Sequence, residues 1–186
     1  SVVKVYNSTT ELDNATVSGT SWSYTATVAN GTTYQFNVKE TDLAGNTSSA
    51  TSNFAVTGDT TPPTVSSVAI TGASGDQNNF VNAGDVVSVT VNFSESVNVD
   101  NASGTTLTLN IGGVSKVARN TSGSGSSALV FQYTIQAGET DSDGISINAD
   151  SLALPSSTIR DPAGNNATLT HLLVSSNDNY KVDTTA

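Results

Sequence analysis

The chain has no cysteine and no methionine, one tryptophan, one histidine, and six lysines and arginines among 186 residues. Each shortage bears on function. Without cysteine there is no disulfide framework, the usual reinforcement of a small secreted domain with a slight core. With a single histidine as well, the N and S ligands of a zinc centre are lacking. Sixteen carboxylates against six cations leave a formal charge of −10, the reverse of the clustered cations that nucleic acid and anionic membranes require. No apolar run approaches the ~20 residues that cross a bilayer, so no membrane insertion is expected. Neither an initiator methionine nor a leader-like segment opens the chain, which reads as a fragment of something longer.

What is present is polar and β-forming. Serine and threonine number 55, asparagine 19 and glycine 15, and hydrophobic residues make up 35%. Those hydrophobic residues are largely Val, Leu, Ile, Ala and aromatics, which a disordered chain would lack. The length suits one large domain or two ordinary ones. Twelve of the sixteen carboxylates are aspartate. Hard oxygen donors in that number point to Ca²⁺, which would supply the stiffening that disulfides do not.

An internal repeat organises the chain. Asp42-Leu43-Ala44-Gly45-Asn46 returns as Asp161-Pro162-Ala163-Gly164-Asn165, and Asp59-Thr60-Thr61 returns as Asp183-Thr184-Thr185. The order is the same in both copies: D-x-A-G-N, a strand-like segment, then D-T-T. The second mark delimits units at 1–58, 59–182 and 183–186, the last being the start of a further linker. Period-two alternation predicts strands at Val2–Tyr6, Ser21–Val28 and Thr33–Lys39 in the first unit. In the second, the clearest expected strands are Val65–Ile70, Val86–Phe93, Thr106–Ile111, Leu129–Ile135 and Leu169–Val174. Asn30-Gly31 and Gly112-Gly113 read as hairpin turns, Thr121–Ser127 as a loop, and Trp22, Tyr24 and Ala26 as one inward strand face. Pro62-Pro63 fixes two φ angles and removes two donors, which suits a stiff connector leading into an edge strand. No segment shows a sustained helical period. The fold class is all-β: tandem immunoglobulin-like β-sandwiches, the first incomplete at its N-terminus, since about seven strands are needed and about five are counted. An incomplete sandwich exposes sheet edges, and self-association through the first unit follows as an expectation.

Val89–Val97 (VTVNFSESV), preceded by Asn82-Ala83-Gly84-Asp85 and followed by the Asp161–Asn165 and Asp183–Thr185 marks, resembles a bacterial immunoglobulin-like repeat. The first unit, with Val3–Tyr6, Ser21–Tyr24, Phe36–Lys39 and Asp42–Asn46, is similar to a shorter subtype. Such repeats are strung along giant surface adhesins of Gram-negative bacteria, of the repeats-in-toxin and biofilm-associated types. The resemblance implies an extracellular, cell-surface extender module, secreted by a type I pathway, with neighbouring repeats of the same chain as partners and Ca²⁺ at domain junctions. It makes Glu95 and Asp161 candidates for one site, completed by Asn165 or a backbone carbonyl. Asp59 or Asp183 would meet loops at its own end or in the next unit.

Other carboxylates admit a metal reading beside a plainer one. Asp42 and Asp161 can ligate, or can organise tight turns through Asx hydrogen bonds. Glu139, Asp141 and Asp143 alternate before Gly144 like the opening of a calcium loop, but the distal Glu is missing. Asp76 and Asp85 flank Gln77–Gly84 and could close a third site. His171, inside the expected Leu169–Val174 strand, is the only histidine available to a Ser–His–Asp triad. No catalytic constellation is built around it, and the chain is read as a non-enzyme. The alternative is a ligand-binding module for sugar or peptide, which would need exposed aromatics.

Overall fold

Wherever apolar and polar residues alternate and a neighbouring segment can pair, the chain forms strands. The computed structural model describes residues 1–185, and among them the helical element is a single 3₁₀ turn at Ala102–Gly104. The chain divides into two units, Ser1–Thr61 and a second from Pro62 onward. Ala186, the end of the expected further linker, lies outside the described residues.

In the first unit, β1 (Val2–Asn7), β2 (Thr10–Asn14), β5 (Thr33–Thr41) and β6 (Phe54–Thr57) form an antiparallel sheet in the order β2-β1-β5-β6. A small hairpin joins β3 (Thr16–Ser18) to β4 (Ser21–Ser23). Val3 and Val5 of β1 are the buried hydrophobic side chains of the first unit, with Asn37 of β5 also buried. The remaining expectations need correction. The predicted Ser21–Val28 strand stops at Ser23. Tyr24, Ala26 and Val28 keep the alternation, each half-buried, but no ladder forms, and the Ala29 N–H bonds the Tyr34 hydroxyl at 3.0 Å instead. Asn30-Gly31 is therefore a turn outside any hairpin; the Gly31 N–H donates to the Gly58 carbonyl. Trp22 is 48% exposed and not in a core.

The second unit has a larger framework. Its main sheet runs β14 (Leu152–Ala153), β10 (Thr106–Ile111), β11 (Val114–Ser122), β12 (Ser126–Thr134), β9 (Val86–Val99) and β15 (Ile159–Arg160). β7 (Val65–Ala73) lies on the same side of β9 as β15, as an edge strand after the prolines. A second sheet places β16 (Lys181–Asp183) between β13 (Thr140–Asp141) and β8 (Phe80–Val81), the latter pair parallel. Strict alternation buries Val87, Val89, Val91 and Phe93 of β9, Leu107, Leu109 and Ile111 of β10, and Leu129 and Phe131 of β12. Ile145, Ile147 and Val182 belong to the same core. The architecture is all-β and sandwich-like.

Gly112-Gly113 closes the β10–β11 hairpin with Ile111 opposite Val114. Gly112 is required there: its φ is +57°, and a Cβ would stand 2.1 Å from the Thr140 carbonyl oxygen. The expected 121–127 loop is shorter than predicted, because β11 continues to Ser122 and β12 resumes at Ser126. Leu169–Val174 is not a strand. Its neighbourhood holds only isolated bridges, Thr64 with Thr168 and Ile147 with Val174, and the adjacent Leu172 and Leu173 both face solvent. His171 is correspondingly not an exposed strand residue. It is buried, its ring Nε2 accepts from the Ser151 N–H at 2.9 Å, and its backbone N–H donates to Asp150 Oδ1.

The contrast between the two cores gives a prediction. Trp22, the only tryptophan, reports on the first unit, whereas circular dichroism follows all strands. In a denaturant titration the Trp22 transition should come first. Leu107→Ala, at a fully buried position, should destabilise the second unit by about 2–5 kcal/mol. Phe54→Ala, at an exposed one, should change stability by no more than about 0.5 kcal/mol. A Trp22 transition later than the main one would contradict this assignment of the cores.

Candidate metal centre

Two elements of the second unit, β9 and β15, bring carboxylates together near the end of β9. The β9 ladder with β12 jumps from Asn92 opposite Ala128 to Val97 opposite Ser126, so the intervening residues bulge. A bulge re-aims side chains and ends regular pairing. It carries Glu95, half-buried between the buried Phe93 and Val97. Beyond the bulge, Val99 and Asn98 pair with Ile159 and Arg160 of β15, which delivers Asp161 directly after the strand. The connecting segment is held on the same side. The Ser94 N–H donates to the Thr64 carbonyl, the Thr64 N–H to Ser94 Oγ, and the Thr168 N–H to the Pro63 carbonyl. Asp59 lies a few residues upstream on that tether. One carboxylate oxygen from each of Asp59, Glu95 and Asp161 falls within 4.8 Å of the others.

Asp161 is the buried member, 3% exposed. Its Oδ1 accepts the Asn165 N–H at 2.8 Å and its Oδ2 the Asn165 side-chain amide at 2.7 Å. Burial by itself would raise its pKa. The Asn165 side chain and N–H, with the N–H groups of Gly164 and Ala163, outweigh burial and hold the carboxyl below its ordinary value. The turn also depends on Gly164 at φ +98°, outside the comfort of side-chain-bearing residues.

The repeat noticed in sequence is repeated in geometry. Asp42 accepts the Asn46 N–H at 2.8 Å and its side-chain amide at 2.9 Å, as Asp161 does from Asn165. Thr61 donates its N–H to Asp59 and Thr185 to Asp183, both at 3.0 Å. The Asx-turn reading thus describes both D-x-A-G-N loops, but only Asp161 is also gathered with other carboxylates. Asp42 is exposed.

The other expected ligands serve local structure. Asp141 accepts from the N–H groups of Gly112 and Gly144, clamping the glycine hairpin. Asp143 accepts from Ser176 Oγ. Glu139 is bonded by the Tyr133 hydroxyl and the Gln136 N–H and pairs with Lys116 at 2.8 Å. Burial, reinforced by Glu139, pushes the Tyr133 hydroxyl up to about 12. Asp85 caps its turn through the Asn82 N–H, and Asp76 is exposed. Among the described residues, Asp59, Glu95 and Asp161 form the one acidic cluster close enough to hold a metal ion.

The sequence reading did not single out Asp100, which fastens the approach to the centre. It accepts from the Thr158 N–H at 2.7 Å, Ser157 Oγ at 2.8 Å and Thr158 Oγ1 at 3.0 Å, immediately before β15. These bonds, the Thr158 N–H foremost, pull its pKa down to about 2. Its position at the end of β9 was the available signal.

No protein-family model matches the chain, and neither a curated protein nor a solved structure matches it. Among the described residues, no helix is long and apolar enough to cross a membrane.

The pH dependence follows from the depressed carboxyls. An acid with a lowered folded pKa contributes stability above its unfolded value, near 3.9, and loses it as pH falls through the folded value. Acid titration should therefore weaken the wild-type fold progressively from about pH 4 toward pH 2, with Asp100 and Asp161 contributing. Asp100→Ala should lack its share already at pH 7 and show a flatter acid limb. Identical limbs for the two proteins would contradict the role given to Asp100.

Proposed function

We propose that this chain is a structural extender of a bacterial surface adhesin, built from tandem immunoglobulin-like β-sandwich units and stiffened by Ca²⁺ at the connecting segment. The observation that carries the reading is the convergence of Asp59, Glu95 and Asp161 beside a proline-rich tether. The donor set fits the ion. All three ligands are carboxylate oxygens, which suit a hard cation, and no soft or imidazole donor belongs to the cluster. At 4.8 Å each pair of anions repels by roughly 1–3.5 kcal/mol for effective dielectric constants between 80 and 20, and a divalent cation reverses that balance.

Ca²⁺ would supply one thing here, a crosslink between carboxylates on separate segments. The chain's own residues do the rest. The Asn165 bonds keep Asp161 ionised and oriented, the β9 bulge presents Glu95, and the bonds at Pro63 and Thr64 restrict where Asp59 can go. With Pro62-Pro63 limiting backbone rotation, the connecting segment becomes short and stiff. The sequence resemblance to adhesin repeats supports an extracellular mechanical role, and the strong negative charge suits Ca²⁺. The reading assigns the chain no catalysis.

Thermal unfolding with Ca²⁺ and with a chelator tests the proposal. At a hundredfold excess of free Ca²⁺ over Kd the native state should gain about 2.7 kcal/mol. Asp161→Asn keeps the turn-forming oxygen and Glu95→Gln the side-chain size, yet each should remove most of that gain. Equal melts in Ca²⁺ and chelator would overturn the metal-stiffened reading.

A further inference from the structure

The two units end on the same hairpin, but its outer edge differs. In the second unit the stretch 166–183 returns antiparallel beside 140–160, through Arg160–Asn166, Ile147–Val174 and Asp141–Val182. Its other edge is covered in parallel by the opening stretch of that unit: Thr64 bridges Thr168, and Phe80-Val81 pairs with Lys181-Val182. In the first unit the corresponding stretch, 47–57, returns antiparallel beside β5, through Thr41–Thr47, Phe36–Phe54 and Thr33–Thr57. Among the described residues β6 is the last strand of that sheet, with no neighbour beyond it.

An apolar groove of about 360 Å³ opens beside this edge. Val5, Phe36 and Phe54 line it from the sheet, Trp22 from β4, and Tyr24 and Ala26 from the unladdered segment that follows. Phe54 is 71% and Trp22 48% exposed. Edge strands are ordinarily guarded by charge, proline or a cover. Residues 43–58 contain no Asp, Glu, Lys, Arg or Pro.

We propose that the β6 edge and this groove form a strand-acceptor site, which takes an uncharged extended peptide segment in parallel to residues 47–57, with alternate apolar side chains entering the groove. The second unit shows the kind of segment that covers such an edge, and its opening stretch Thr64–Ala73 (TVSSVAITGA) carries no charge. Charge also selects the occupant. The acceptor edge is neutral and offers nothing to a charged strand, whereas a second copy would bring another −10. Main-chain hydrogen bonds would give affinity and the aromatic groove specificity, as in strand addition generally. The proposal does not depend on Ca²⁺.

The test uses the whole protein, a capped synthetic TVSSVAITGA peptide, the same peptide with Val68→Pro, and a scrambled one. With the first peptide, amide signals of residues 47–57 should shift, their exchange should slow by about tenfold, and Trp22 emission should move to the blue. A spin label at the peptide N-terminus should broaden Thr47–Ser49 and spare Val56-Thr57. Phe54→Ala should weaken the effect at least about fivefold. Four results would overturn the proposal: no response up to about 1 mM peptide, equal responses to the scrambled or proline peptides, broadening at the Val56 end, or shifts confined to β9. Spectral changes that follow protein concentration without peptide would make a second copy the occupant, and would overturn it equally.

Discussion

The second unit is organised around one strand. β9 pairs with β12 along one side and with β7 and then β15 along the other. Its inward valines and Phe93 sit at the centre of the core. Every arm of the candidate centre hangs from it: Glu95 rides on its bulge, Asp161 follows the strand paired to its end, and the tether bearing Asp59 is bonded to Ser94. A strand of this length, 14 residues, needs a strictly kept alternation, because a one-residue slip would turn the whole apolar set outward. Burial therefore fixes the register, and the register aims the carboxylates.

The two units use the same turn chemistry on different cores. Both D-x-A-G-N loops make the same pair of hydrogen bonds from asparagine to aspartate, and both D-T-T marks make the same Asx contact. Such bonds are local and survive whatever the surrounding sheets do. The cores are not local. The second unit buries side chains from facing sheets, whereas the first leaves Trp22, Phe54 and Val2 substantially exposed. The apolar face of the first sheet is less covered, although the two units carry nearly the same share of hydrophobic residues.

Much of this was legible in the sequence, and the failures have physical causes. Thr106–Ile111, the Gly112-Gly113 turn, the edge strand after Pro62-Pro63 and the repeat marks depend on local alternation, positive φ or missing donors, all readable from residue type. Tyr24–Ala29 alternates and Leu169–Val174 is rich in Leu and Val, but a strand requires a ladder partner, which sequence does not display. The Ala29 N–H found a tyrosine hydroxyl, and His171 turned inward to a backbone N–H. Asp161, Glu95 and Asp59 were singled out by the resemblance and the repeat. Residue type and local spacing alone did not separate them from Asp141 or Asp85; what does is the convergence of carboxylates from distant segments. Asp100 was missed because its partners, Ser157 and Thr158, lie far along the chain.

In the proposed centre, Asp59, Glu95 and Asp161 share one Ca²⁺. Anomalous diffraction from crystals grown with Ca²⁺ tests it most directly. The expected result is a peak with an oxygen of each of the three carboxylates at about 2.3–2.6 Å. A peak elsewhere, such as at Asp141 and Asp143, or none with Ca²⁺ in excess, would contradict it.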